Sequence, residues 1–112
     1  MRITMSKFIN VLLFHVLLLV SCTSSGQDSI KSKKNVQTAD QIIKDNISTS
    51  DEMDSQKALM KALGYLDKAI ELDSSNILAY QNKITVLTVL KRHSELIKPL
   101  IKLLTLKKDF AE

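Results

Sequence analysis

From Ala58 to Leu106 apolar residues return every three or four positions, and this period restricts the chain to packed helices more than any single motif does. Ala58, Leu59, Ala62, Leu63, Leu66, Ala69 and Ile70 share one broad face of a helix that Asp54 or Ser55 caps and that runs to Leu72, where Asp73-Ser74-Ser75-Asn76 breaks it. A second helix is expected from about Ile77 to Leu90, burying Tyr80, Ile84 and Leu87 with Val86 and Leu90 beside them, and Lys91-Arg92-His93 ends it with cations at the negative end of the helix dipole. Ser94 caps a third helix, with Leu96, Ile97, Leu100, Ile101, Leu103 and Leu104 as its apolar face and Lys98, Lys102 and Lys107 on its wet one. Pro99 removes one backbone donor early in that helix, which predicts a kink or a delayed start. Thr38 caps a shorter helix through Ile42 and Ile43 to about Ile47. Gly26 and Gly64 are the only glycines and Trp is absent, so a turn-rich β-sandwich is disfavoured and the fold class is all-α.

The first and third of these amphipathic stretches align at a fixed offset: Ala62 with Leu96, Leu63 with Ile97, Leu66 with Leu100, Ala69 with Leu103, Ile70 with Leu104 and Leu72 with Leu106, each pair 34 residues apart. Ala62-x-x-x-Leu66-x-x-Ala69-Ile70-x-Leu72-Asp73 followed by Asn76-x-x-Ala79-Tyr80 resembles the end of one tetratricopeptide (TPR) repeat running into the next. The resemblance covers roughly residues 56–112 and implies helix-turn-helix repeats, an α-solenoid fragment in which Ala62 and Ala69 let paired helices approach and Tyr80 packs from the following helix. Ser74, Ile84, Leu96 and Leu103 depart from the family pattern, which usually has proline at the first place and small residues at the others, so the second unit should pack more loosely. A plain three-helix or four-helix bundle satisfies the same periodicity.

Ahead of the helices, Arg2 and Lys7 precede a mostly apolar run of 13 residues, Phe8 to Val20, interrupted by Asn10 and His15. A spanning helix needs roughly 20 apolar residues, so this length suits the apolar region of a signal peptide. Leu19-Val20-Ser21-Cys22 follows at once, and the whole resembles a bacterial lipoprotein signal. In that family residues corresponding to 1–21 are removed and the cysteine, here Cys22, carries lipid on its sulfur and fatty acyl chains such as palmitate on its new amino terminus. An ordinary secretory signal with a chance cysteine and an uncleaved short anchor are the alternatives. Several acyl chains, each stabilised by about 0.8 kcal/mol per buried CH₂, hold a protein firmly on a membrane. The resemblance places the chain on the cell membrane or the outer membrane, lipid-anchored on the periplasmic or surface side. Residues 22–37 then form the lipidated start and a flexible tether, polar and without helical period from Thr23 to Asn35, and residues 38–112 form the helical domain. Lys31, Lys33 and Lys34 are solvated tether residues or contacts for anionic headgroups.

No residue pattern supports catalysis, a cofactor or a metal. Gly-rich phosphate loops and His-x-x-x-His or Cys-x-x-Cys spacings are absent, and one cysteine rules out both an internal disulfide and a cysteine-based zinc site. His93 lies on a turn with no second group to orient it, and helix capping and the dipole account for Asp51, Glu52 and Asp54. Met53 and Met60 are expected in core or loop. The net charge is +4, of which Arg2 and Lys7 supply two, too little to argue for nucleic acid. Lys83, Lys91, Arg92, Lys98, Lys102, Lys107 and Lys108 against Glu95 give the last two helices a basic surface, solvated or facing an acidic protein or lipid headgroups.

The TPR resemblance implies that a protein or peptide partner meets the exposed side of the second helix, at Leu78, Gln81, Asn82, Thr85, Thr88 and Val89, a mostly neutral surface suited to shape and hydrogen bonds. The rival reading is a small structural envelope lipoprotein whose helices pack into a complex without such a groove. Residues 107–112 occupy the place in the period that residues 73–78 hold earlier, so Ala111 is expected to open a further repeat. An uncapped repeat face is unfavourable. The pattern therefore predicts a fragment of a longer repeat lipoprotein, or a last face buried against a partner or a second copy of the chain.

Overall fold

The computed structural model describes residues 26–111, side chains through 109, and all regular structure among them is helical. The signal expected over 1–21 and the lipidation site Cys22 lie outside the described residues. In order the chain forms α1 (26–46), α2 (Glu52–Leu72), α3 (Ile77–Val89), a single 3-10 turn (His93–Glu95) and α4 (Ile97–Ala111). None of the described helices is long and apolar enough to cross a membrane.

α1 corrects the expectation of a flexible tether. Residues 26–37 are helical, and Thr38 lies inside the helix, its hydroxyl donating to the Lys34 carbonyl at 3.1 Å instead of capping a new start. Ser32, Val36, Ala39 and Ile43 are buried and recur at spacings of four, three and four residues, which places them on one stripe. That stripe packs on α2. At one end the Ser55 hydroxyl donates to the Asn46 carbonyl at 2.9 Å, and at the other the Ser32 hydroxyl donates to the Ala69 carbonyl at 2.7 Å, so the two helices run antiparallel.

α2 begins earlier than expected, with Asp51 in extended backbone as the residue before the helix and Glu52 and Asp54 in the first turn, where the dipole favours carboxylates. It stops where the sequence predicts. The Asp73 carboxylate accepts from the Ser75 backbone N–H at 3.1 Å and the Ser75 hydroxyl at 2.7 Å, and the Asn76 side chain then caps α3 by accepting from the Ala79 N–H at 3.3 Å. Tyr80 is buried beneath this turn and its hydroxyl donates to the Ser74 carbonyl at 3.0 Å. Burial, aided by the Asp73 charge, raises the Tyr80 pKa above the usual tyrosine value.

α3 ends in a Schellman arrangement: the Arg92 N–H reaches the Leu87 carbonyl at 2.9 Å and the Lys91 N–H the Thr88 carbonyl at 3.0 Å, with Lys91 at φ 57° in the left-handed region that favours glycine. Arg92 then holds Glu95 through two hydrogen bonds of 2.6 and 2.8 Å, tightening the 3-10 turn where a Ser94 cap was expected. Pro99 stands third in α4, within the first turn, where a missing N–H costs no intrahelical bond, so the outcome is a delayed start at Ile97.

One buried cluster joins Val36, Ala39 and Ile43 of α1, Leu59, Ala62, Leu63, Leu66 and Ala69 of α2, and Ala79, Val86 and Leu87 of α3, with Leu96 packed at its edge. α3 lies between α2 and α4 and touches both. Three further expectations are corrected. Ile84 and Leu90 are half-buried, Met53 and Met60 are exposed, and α4 turns only part of its apolar surface inward, through half-buried Leu103 and buried Pro99 and Leu106, with half-buried Leu96 just ahead of it. α4 also runs through residues 107–111, where the period places a break like that at 73–76.

Candidate functional site

The hydrogen bonds that seat α1 also build a cleft. Asn76, caught between its capping role and a 3.0 Å bond from its Nδ2 to the Ser32 hydroxyl, fixes the start of α3 against α1. Beside it opens a cleft of about 350 Å³ lined by Lys33, Val36, Gln37 and Asp40 of α1, with Asn76 and Leu78. Val36 and Leu78 give it an apolar floor, Gln37 and Asn76 offer amides, and Lys33 and Asp40 place opposite charges in its wall. Asp40 also accepts from Lys44, one turn on, at 2.7 Å, which raises the Lys44 pKa.

The residues singled out on the second helix lie on α3 beyond this cleft. Leu78, Gln81, Thr85, Thr88 and Val89 are exposed and Asn82 is half-buried, and only Leu78 lines the cleft itself. The threonine hydroxyls donate back to their own helix, Thr85 to the Gln81 carbonyl at 3.1 Å and Thr88 to the Ile84 carbonyl at 2.7 Å, leaving oxygen lone pairs outward. Asn82 differs from its neighbours, because its Nδ2 is buried without a hydrogen-bond acceptor. Such an amide is costly to leave unmet, by roughly 1–3 kcal/mol. No charged side chain stands among these six.

Sequence reading missed the α1 half of the cleft. Lys33, Val36, Gln37 and Asp40 fall across the stretch read as tether and short helix, and the signal that finds them is the Ser32, Val36, Ala39, Ile43 spacing with serine counted as a small buried residue. His93 is exposed on the 3-10 turn. Among the described residues no three His, Cys, Asp or Glu side chains gather as a metal site would require. No protein-family model matches the chain, and neither a curated protein nor a solved structure matches it.

Proposed function

We propose that this chain is a lipoprotein of the bacterial cell envelope, anchored through lipid on Cys22, whose TPR-like helical module captures a protein or peptide partner. The observation that carries the reading is the cleft between α1 and α3 continuing into the uncharged outer face of α3. An extended segment laid there sets an apolar side chain between Val36 and Leu78 and offers backbone N–H groups to the side-chain oxygens of Asn82, Thr85 and Thr88. The repeat reading draws support from Ala62 and Ala69, both without solvent exposure where helices meet, and from Tyr80 packed beneath the turn that precedes α3.

A photo-reactive residue placed at position 81 of the lipoprotein in its native host tests the site. A discrete protein adduct that disappears with Asn82→Leu or Leu78→Asp supports capture at this face, and an adduct indifferent to both refutes it. The rival, a structural subunit that packs through apolar faces, is favoured by the uncovered stripe of α4; it predicts loss of the complex on Leu100→Asp and none on Asn82→Leu. The intact mass of protein extracted from membranes tests the anchor: loss of residues 1–21 with acyl mass on Cys22 supports it, and an unmodified cysteine removes it. A mass extending past Glu112 assigns the chain to a longer repeat protein.

A further inference from the structure

Ile97, Leu100, Ile101 and Leu104 of α4 are 63%, 41%, 60% and 67% exposed and, at helical spacing, form a single aliphatic stripe on the side that α3 leaves uncovered. Lys98 and Lys107 flank the stripe, Lys108 closes its far end and Lys102 lies behind, while Asp109 is the only acid on the helix. At the matching places 34 residues earlier stand Gly64, Asp73, Ser74 and Lys68, so three of the four lysines belong to α4 alone. The stripe's four side chains line none of four clefts of about 340–360 Å³ among the described residues. Thr105 stands beside the stripe, its hydroxyl donating to the Ile101 carbonyl at 2.9 Å.

We propose that α4 lies along an anionic lipid surface, its aliphatic stripe at the boundary of headgroups and acyl chains and its lysines among the headgroups. An aliphatic face bordered by lysines is complementary in both polarity and charge to such a surface. A second copy packed on the stripe brings two sets of three lysines together, an unfavourable juxtaposition. The α4 surface stands apart from the α1–α3 cleft, and it can fail while the cleft holds.

The test uses the full chain with Cys22→Ser, so that an environment-sensitive fluorophore sits only on an introduced cysteine, at Leu104→Cys or, as the comparison, Gln81→Cys. Vesicles are pure phosphatidylcholine or equal parts phosphatidylcholine and phosphatidylglycerol. The expected result is a blue-shifted, brighter probe at position 104 on the anionic vesicles, little change at position 81, and partitioning weakened roughly tenfold or more by Lys107→Glu with Lys108→Glu. A probe at 104 that ignores anionic vesicles while the helical circular dichroism is intact overturns the proposal. So does an equal response at 81, or a probe at 104 already shielded in buffer with a dimer mass by light scattering, which assigns the stripe to a second copy.

Discussion

Ser32 is the residue on which the position of α1 turns. Its side chain has no solvent exposure, donates to the Ala69 carbonyl at 2.7 Å and accepts from Asn76 Nδ2 at 3.0 Å, linking the first helix to the end of the second and the cap of the third. Ser32→Ala removes both bonds. The Ala69 carbonyl keeps the Asp73 N–H at 2.9 Å, and the Asn76 amide is only partly buried, so neither is fully orphaned. Two net hydrogen bonds at about 1 kcal/mol each give a loss of about 2 kcal/mol. The better helix propensity of alanine returns about 0.5 kcal/mol. Urea unfolding should therefore show a lower midpoint at unchanged slope, corresponding to about 1.5 kcal/mol. Asn76→Ala removes the same inter-helix bond together with the α3 cap, and the double variant should show a coupling of about 1 kcal/mol. A Ser32→Ala change smaller than about 0.5 kcal/mol with no coupling to Asn76 refutes the docking of α1 and returns residues 23–35 to a tether.

Lys91→Gly relieves the left-handed backbone at φ 57° and should raise stability by about 0.5–1 kcal/mol in the same urea assay; a loss would show that the lysine side chain supports the turn. Gly64→Ala, on the exposed face of α2 with nothing within 4 Å of the added carbon, should stabilise by roughly 0.8 kcal/mol, and a decrease would reveal an unseen contact at that face. Tyr80 has a folded pKa above its unfolded value, so its neutral form supports the fold fully below about pH 10 and that support is lost as pH rises through the folded pKa. Tyr80→Phe should cost about 1 kcal/mol at neutral pH through the lost bond to the Ser74 carbonyl, and should flatten the alkaline fall in stability; an unchanged alkaline profile contradicts this.

The boundary between α2 and α3 was legible in the sequence because Asp73, Ser75 and Asn76 carry their own hydrogen-bonding logic within four residues. α1 was not legible, because its buried stripe holds only two large apolar residues, Val36 and Ile43, beside Ser32 and Ala39, and lysines on its exposed sides mask the period. The cleft followed α1 into obscurity, since its Lys33, Val36, Gln37 and Asp40 wall exists only if residues 23–35 are not a tether. α4 was legible as a helix but not in its orientation. Leu96, Pro99, Leu103 and Leu106 make one apolar arc and Ile97, Leu100, Ile101 and Leu104 another, and periodicity alone does not say which meets α3.

The 34-residue offset turns that ambiguity into an argument about neighbours. Leu63, Leu66 and Ile70 on α2 correspond to Ile97, Leu100 and Leu104 on α4. The α2 set is covered, Leu63 and Leu66 buried and Ile70 half-buried, because α2 has α1 packed on one side and α3 on the other. The α4 set is exposed because, among the described residues, α4 packs on α3 and the 3-10 turn alone. The same apolar pattern is thus a core on one helix and a surface on the other, and the difference lies in what is packed beside it. If a further helix like α1 were the occupant for which α4 is shaped, its borders should match those of α2. They do not: Gly64 on α2 and Asp73 and Ser74 in the turn after it give way to Lys98, Lys107 and Lys108 on α4, so the stripe keeps its apolar period while its rim becomes basic. A helix of similar composition gains nothing from that exchange, whereas an anionic surface gains an attraction of about 1 kcal/mol for each lysine brought close to it.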